Sequence, residues 1–464
     1  MARHVEVAIV GAGSAGLAAL EEVRKVTDDF VVIDGGPLGT TCARTGCMPS
    51  KTLIQVANEY YRARRLEGRG IHGGKKLRLN ISEALAYVRK LRDGFAGEVV
   101  LSTRRLGSRL IRSRAAFVGP NVLRVGKKEI FAKRVILATG SRPVVPEEFL
   151  ALGSRVVTTD SLFELADLPA RIGVVGLGSI GLEIGQALSR LGCDVVAFDR
   201  SRGLGNLTDP AVNSYASRHF AGEFEILFGV EAELRGRPEN IEVVARGRAY
   251  ARDLILASLG RRPNLDSLGL EALGVALDEG GLPEFDGATM KLRGLPVYLA
   301  GDASARRAVL HEAVDDGRIA GYNSVHRNPR RFRRRAPLAV TFSEPNLALV
   351  GKTRAELKRG RFVTGAASFE TQGRCLILGE NYGLLHVYAD ADGGKFLGAE
   401  MVGPAGEHLA HLMAWAFQRK LTVFEMLRMP FYHPTVEEGL RTALRDAAMK
   451  VKSRIGKSEI EFRG

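Results

Sequence analysis

The chain has 464 residues, 45% hydrophobic and 26% charged, with 4 cysteines and a net charge of +15. That length supports about two to four domains, each with its own core. No apolar run approaches the roughly 18 residues a membrane helix needs, and so few cysteines exclude a disulfide-stapled secreted scaffold.

Taken in chain order, an apolar strand-like run starts at Val5 almost at once. It leaves no room for a secretory leader, so a cytoplasmic location is expected. "VAIVGAGSAGLAAL" then runs from Val7 and is followed by "FVVID", ending at Asp34. The order strand, glycine turn, helix, strand, acid is that of a dinucleotide-binding unit. Gly11 makes the tight turn, Gly13 lets backbone approach a pyrophosphate, and Gly16 permits close helix–strand contact. The helix N-terminus favours the phosphate charge, and Asp34 accepts hydrogen bonds from ribose hydroxyls.

"GTTCARTGCMPSK", from Gly39 to Lys51, places Cys42 and Cys47 five positions apart. On a regular helix such residues have Cα atoms about 8.7 Å apart, whereas a disulfide needs roughly 4.4–6.8 Å. The pair closes only if the chain bends, and Gly46 supplies the bend. Pro49 suits the first turn of a helix through "SKTLIQVANEYYRARR", so the cysteines lie at or before a helix N-terminus. That position lowers a thiol pKa. A small loop adds little stability to large cores, so the pair is expected to cycle rather than staple. Cys193 and Cys375 stand alone in apolar settings and read as packed thiols.

"RVILATGSRP" (134–143) reads as a buried strand breaking into a glycine turn. The first unit then recurs without a gap as "IGVVGLGSIGLEIG" from Ile172, with Gly176, Gly178, Gly181 and Asp199 matching Gly11, Gly13, Gly16 and Asp34. Two dinucleotide sites in one chain imply two cofactors that exchange electrons. Asp199 repels a 2′-phosphate and accepts a free 2′-OH, which favours NAD over NADP, with Arg200 and Arg202 partly offsetting it. "LILASLGRRP" (254–263) repeats the strand-into-turn pattern, and "VYLAGDAS" (297–304) ends a further strand in Gly-Asp.

"HRNPRRFRRR" (326–335) concentrates six arginines. It has no aromatic platform or basic helix stripe for nucleic acid. A solvated, flexible basic loop is expected, with a docking site for an acidic protein as the alternative. The tail reads as strands "PLAVTFSEPNLALVG", "GLLHVYAD" and "FLGAEMVG" followed by helices, and carries "YHPTVEEGL" near its end.

These motifs together resemble the FAD-dependent pyridine nucleotide–disulfide oxidoreductases over essentially the whole chain, and "GCMPSK" is most similar to dihydrolipoamide dehydrogenases. The resemblance implies an α/β fold of two Rossmann-like domains, the NAD domain inserted in the FAD domain, plus a C-terminal α+β dimerisation domain. The expected division is 1–147 with 272–336 for FAD, 148–271 for NAD and 337–464 for the interface.

By resemblance, Cys42 is the interchange thiol, Cys47 the charge-transfer thiol beside the flavin, and Lys51 with Glu183 an ion pair between flavin and nicotinamide. His433 is the base, Glu438 orients it, and the histidine reaches the partner subunit's cysteines, which implies a homodimer with shared sites. The cofactor contacts it implies add Thr41, Ala115, Thr139, Gly140, Ser141, Ile180, Gly260, Asp302, Leu310 and His311. The expected reaction is oxidation of a protein-bound dihydrolipoamide, on a lipoyl domain, with reduction of NAD+. The alternatives are a reductase of another disulfide, or a flavoprotein scaffold docking through its basic loop. Tyr432 departs from the family pattern, which commonly has a small residue there, and Asp34 stands where many relatives have Glu.

Overall fold

The computed structural model describes residues 3–238, 240–452 and 459–460. A mixed sheet with a parallel centre, a parallel sheet, a five-stranded antiparallel sheet and their covering helices account for most of them.

In the first sheet, strand Arg3–Val10 lies between Phe30–Ile33 on one side and Lys128–Leu137 on the other, parallel to both. Leu110–Ile111 and Val297–Leu299 extend the two edges. Strands such as "FVVI" are buried at every position, the pattern of a parallel sheet covered on both faces. Because the chain leaves Arg3–Val10 in both directions, the sheet opens a crevice at that strand's carboxyl end. This is where nucleotides bind in doubly wound sheets.

The second sheet repeats the plan, in the order Glu225–Phe228, Asp194–Asp199, Arg171–Val175, Leu254–Ala257 and Val156–Val157. Its central strand Arg171–Val175 is likewise flanked on both sides by parallel partners. Strands Ser141–Pro143 and Arg261–Pro263 pair antiparallel, and so tie the two sheets' terminal turns together.

Two helices of the first unit approach more closely than side chains normally allow. A Cβ on Gly317 would sit 2.1 Å from the Ala15 carbonyl oxygen, and one on Gly321 would sit 2.4 Å from that of Ala19. Glycine is therefore required where the helix Leu310–Val325 crosses the nucleotide helix Ser14–Val23.

The tail forms a five-stranded antiparallel sheet in the order Leu338–Thr341, Asn346–Gly351, Phe396–Gly403, Leu384–Asp390, Phe362–Ser368. Helices Gly406–Arg419, Val423–Leu427 and Glu438–Lys450 cover it. The sequence reading placed three strands here and missed Phe362–Ser368 and the short helix Gly373–Leu378. "FVTGAAS" follows three strand formers with Gly-Ala-Ala-Ser, and a Cβ at Gly365 would lie 2.1 Å from the Ala443 oxygen. Tertiary packing against the last helix overrides local propensity there. "PLAVTFSEPNLALVG" is also two strands rather than one, broken at residues 342–345.

The basic loop departs from expectation more sharply. The wholly buried Asn323 accepts from the Arg330 N–H at 2.7 Å and donates to the Arg330 carbonyl at 3.0 Å. Phe332 packs edge-on against Tyr322 and donates its N–H to the Ala288 carbonyl. Arg331, Arg334 and Arg335 pair with Asp286, Glu312 with Asp316, and Asp315. The expected solvated, flexible loop is thus a tethered strap, because acids on the neighbouring helix and turn neutralise half of its arginines.

Candidate active site

Both glycine turns have the same construction. Gly11 has φ +107° and a Cβ there would lie 2.2 Å from the Ala138 oxygen; Gly176 has φ +94° with Ser258 O at 2.3 Å. The third glycines, Gly16 and Gly181, would each place a Cβ 1.9 Å from the first glycine's carbonyl. The middle glycines, Gly13 and Gly178, face open space with nothing within 4 Å. Two glycines of each triplet are therefore needed by the fold itself, while the middle one leaves a cradle that a methyl group would fill.

Asp34 and Asp199 serve the turns first. Asp34 accepts from the Ala12 and Gly36 N–H groups at 2.7 Å each, and burial raises its pKa. Asp199 accepts from the equivalent amides of Leu177 and Ser201. The expectation that these acids hold ribose hydroxyls needs this addition: both oxygens already bind backbone, and only their remaining lone pairs would be left for a sugar.

The turn after strand Lys128–Leu137 carries Thr139, Gly140 and Ser141. Asn264 donates to the Thr139 carbonyl, and the Thr139 hydroxyl oxygen is buried without a hydrogen-bond partner among the described residues. Ser141 donates to Asp302 at 2.6 Å and accepts from Arg261 at 2.8 Å. Leu310 and His311 open the helix Leu310–Val325 as exposed residues, and Ala115 is buried in strand Ala115–Gly119. An orphaned hydroxyl, an empty glycine cradle and a helix N-terminus converging on one crevice fit a bound FAD. At the second turn, Ile180 is exposed, Gly260 takes φ +96°, and both Gly260 and Gly178 leave open space where a Cβ would be. That arrangement fits a nicotinamide dinucleotide.

Cys42 lies in a single helical turn, Thr41–Arg44, and Cys47 opens the helix Cys47–Ala63. Thr40, at φ +57°, caps the first turn through its hydroxyl to the Ala43 N–H. Gly46 makes the bend: a Cβ there would lie 3.0 Å from the Thr41 oxygen and 3.2 Å from the Cys42 Cα. The bend brings the two sulfurs within hydrogen-bonding reach. The sequence reading lowered both thiols alike, but the structure separates them. Cys47 is held down to about 6 by the hydrogen bond from Cys42, with the Lys51 charge adding to it. Cys42 is driven well above the usual thiol range by that same bond and by burial. One sulfur is thus a thiolate and the other a proton donor to it. Burial pushes the isolated Cys193 and Cys375 up to about 11, as expected of packed thiols.

One turn beyond Cys47, Lys51 pairs with Glu183 at 2.7 Å. The pair bridges the helices that begin the cysteine segment and the second nucleotide unit. Glu183 also accepts from the Phe342 N–H at 2.7 Å, and the Lys51 ammonium sits 4.8 Å from the Phe342 ring centre. In the tail, both carboxylate oxygens of Glu438 lie within 3.1 Å of His433 Nδ1, and that contact holds the Glu438 carboxyl below its usual range. The His433 side chain is 80% exposed and Tyr432 beside it is 83% exposed. Among the described residues, no hydrogen bond joins this histidine to either cysteine of its own chain.

The sequence reading missed one cluster that fixes these helices. Arg190, with its side chain 3% exposed, pairs with Glu223 at 2.8 Å and with Glu344, which also receives Arg62. Gln186 exchanges hydrogen bonds with the Glu344 backbone at 2.6 and 2.8 Å. The signal was present: Gln186 and Arg190 recur at i+3 and i+7 from Glu183, polar positions on one face of an otherwise apolar helix.

Comparison with known proteins agrees with this geometry. Residues 5–317 match the pyridine nucleotide-disulphide oxidoreductase profile, and residues 338–444 match that family's dimerisation domain. The chain is 27% identical to the dihydrolipoyl dehydrogenase of Bacillus subtilis, covering 93% of each. It is 29% identical to that of Thermus scotoductus, covering 94% of this chain and 95% of the relative. A Staphylococcus aureus mercuric reductase is 25% identical over 94% of this chain and 81% of the relative. LpdA from Mycobacterium tuberculosis superposes with a TM-score of 0.83 at 24% identity, over 95% of this chain and 99% of that one. Two nucleotide crevices, a polarised thiol pair and a matched dimerisation domain converge on one assignment: the chain belongs to the FAD-dependent pyridine nucleotide-disulphide oxidoreductases.

Proposed function

We propose that the protein is a dihydrolipoamide dehydrogenase, oxidising a protein-bound dihydrolipoamide through Cys42 and Cys47 and reducing NAD+. The observation that carries this reading is the polarised thiol pair at a helix N-terminus beside the Lys51–Glu183 pair. The similarity to dihydrolipoyl dehydrogenases along nearly the whole chain supports the choice of substrate.

In this reading Cys42 meets the substrate. A substrate thiolate attacks the Cys42 sulfur of the oxidised pair, Cys47 leaves as its thiolate, and a mixed disulfide forms at Cys42. The second substrate thiolate then attacks that disulfide, releasing cyclic lipoamide and Cys42. His433, oriented by Glu438, takes the substrate's thiol protons, and an imidazole suits that task near neutral pH. A bound FAD would supply a two-electron acceptor for the dithiol and a hydride donor for NAD+. Gly11, Gly13, Gly16, Asp34, Thr41, Ala115, Thr139, Gly140, Ser141, Asp302, Leu310 and His311 would hold FAD. Gly176, Gly178, Ile180, Gly181, Asp199 and Gly260 would hold NAD. Lys51 and Glu183 each neutralise the other's cost of burial at the junction.

The same reading makes the protein a cytoplasmic homodimer divided at 1–147 with 272–336, 148–271 and 337–464. No helix among the described residues is long and apolar enough to cross a membrane. The exposed apolar side chains Leu412, Trp415, Met429 and Tyr432 lie on the matched dimerisation segment with the exposed His433. A partner covering them would bring its own His433 to the cysteines that this chain's histidine does not reach. A second reading, reduction of another disulfide, is favoured by Tyr432, an exposed aromatic residue next to His433 in sequence that would narrow a thiol pocket.

A substrate panel tests the choice. Turnover of dihydrolipoamide with NAD+ far above NADH- or NADPH-driven reduction of glutathione disulfide is the expected result. The reverse ranking would select the second reading.

A further inference from the structure

The arginine strap is the strongest sequence feature that the thiol chemistry leaves unused, and its centre is Arg334. The guanidinium lies 2.5 Å from Asp316 Oδ1 and also pairs with Glu312 Oε2. The two acid side chains are 4% and 10% exposed, four residues apart in the opening turns of the helix Leu310–Val325. Like charges at that spacing repel, and buried carboxylates without a counter-ion are costly. Among the described residues, Arg334 is the cation paired with Asp316. Arg307 reaches only Glu312, at 3.8 Å, and Arg335 is occupied with Asp315 at 3.0 Å. On the same helix Arg318 is spent on Glu21 of the facing helix Ser14–Val23, at 3.7 Å.

Asp316 connects this pair to the FAD crevice. Its Oδ2 accepts from the Gly301 N–H and the Ser304 hydroxyl at 3.3 Å each, bracketing the Gly301–Ser304 turn. That turn carries Asp302, which holds Ser141 at 2.6 Å. The same helix opens with Leu310 and His311 and lies on the nucleotide helix through Gly317 and Gly321. Asn323 fixes the strap's backbone from the far end of this helix, so the guanidinium is delivered from a rigid anchor.

We propose that Arg334 is a positioning residue for FAD. By neutralising Glu312 and Asp316 it holds the Gly301–Ser304 turn and the start of the helix Leu310–Val325 in the shape that receives the flavin. It acts through these two acids and touches neither the thiols nor their substrate. The proposal rests on the family's use of FAD and is independent of which dithiol is oxidised.

Charge balance gives the test a signature that simple loss of packing lacks. Burial already raises the Asp316 carboxyl, with Glu312 adding to the rise, and Arg334, helped by the Ser304 hydroxyl, opposes it. Without Arg334 the Asp316 carboxylate would lack its counter-ion at high pH and take up a proton as the pH falls. FAD binding to the apoprotein is read from quenching of flavin fluorescence. Arg334→Met should weaken it by roughly tenfold or more near pH 8 and recover most of the loss near pH 5.5. Adding Asp316→Asn to Arg334→Met should restore binding at both pH values, while Arg330→Met and Arg333→Met should leave it unchanged. Wild-type affinity in Arg334→Met near pH 8, or a loss that neither acid pH nor Asp316→Asn relieves, would overturn the proposal. If Arg334→Met does not accumulate as folded protein, the double variant decides. Folded and FAD-bound supports the charge-balance role; unfolded or FAD-free refutes it.

Discussion

Replacing Gly178 by alanine separates binding from folding in a way the geometry makes quantitative. Gly178 has φ −61° and ψ −174°, extended backbone open to any residue, and a Cβ there meets nothing within 4 Å. Alanine should therefore leave the fold intact, even adding about 0.4–1 kcal/mol by restricting the unfolded chain. The methyl would occupy the space through which backbone meets the pyrophosphate, so NADH affinity should fall by roughly tenfold or more. Gly176→Ala behaves in the opposite sense. Its φ of +94° and a Cβ contact of 2.3 Å with the Ser258 oxygen combine strain and overlap. These terms together cost about 2–5 kcal/mol. Thermal melting and NADH titration of both variants make the comparison. The reasoning fails if Gly178→Ala binds NADH as tightly as wild type, or if Gly176→Ala melts as wild type does.

Further outcomes follow from the same contacts. Ultraviolet thiolate absorbance of the reduced protein should titrate near pH 6 from Cys47, with Cys193 and Cys375 silent until about 11. Because folding lowers this pKa, the thiolate's stabilising contribution is present above the ordinary thiol value and is lost as pH falls through about 6; Cys42→Ala should move the titration upward. Arg190→Met strands Glu223 and Glu344 without their shared cation and should destabilise the protein by about 3–5 kcal/mol in urea unfolding. Mixing inactive Cys42→Ser and His433→Gln homodimers under conditions that exchange subunits should recover about a quarter of wild-type activity, from one intact shared site per hybrid. No recovery despite proven exchange would contradict sharing.

Much of the nucleotide architecture was legible because its physics is local. A glycine at positive φ, an acid accepting turn amides and a helix start lie within about thirty residues, and their repetition from Gly11 to Gly176 doubles the signal. The thiol pair was legible as a pair, but its polarity was not, since the Cys42 hydrogen bond and the Lys51 charge act only once Gly46 has bent the chain. What escaped depends on partners far apart in sequence. Arg190 meets Glu344 across 154 positions, and Gly365 is dictated by Ala443 rather than by its own strand. The arginine run misled for a related reason: composition shows six cations, while the acids that absorb half of them lie on other segments.

The central claim is that electrons leave a dithiol through Cys42 and Cys47 and reach a bound flavin. Anaerobic rapid mixing of the purified holoenzyme with dihydrolipoamide, followed by flavin absorbance, tests it most directly. Fast flavin spectral change in wild type and none in Cys42→Ser is the predicted result. Equal change in both proteins would contradict it, as would a purified wild-type chain that binds no FAD.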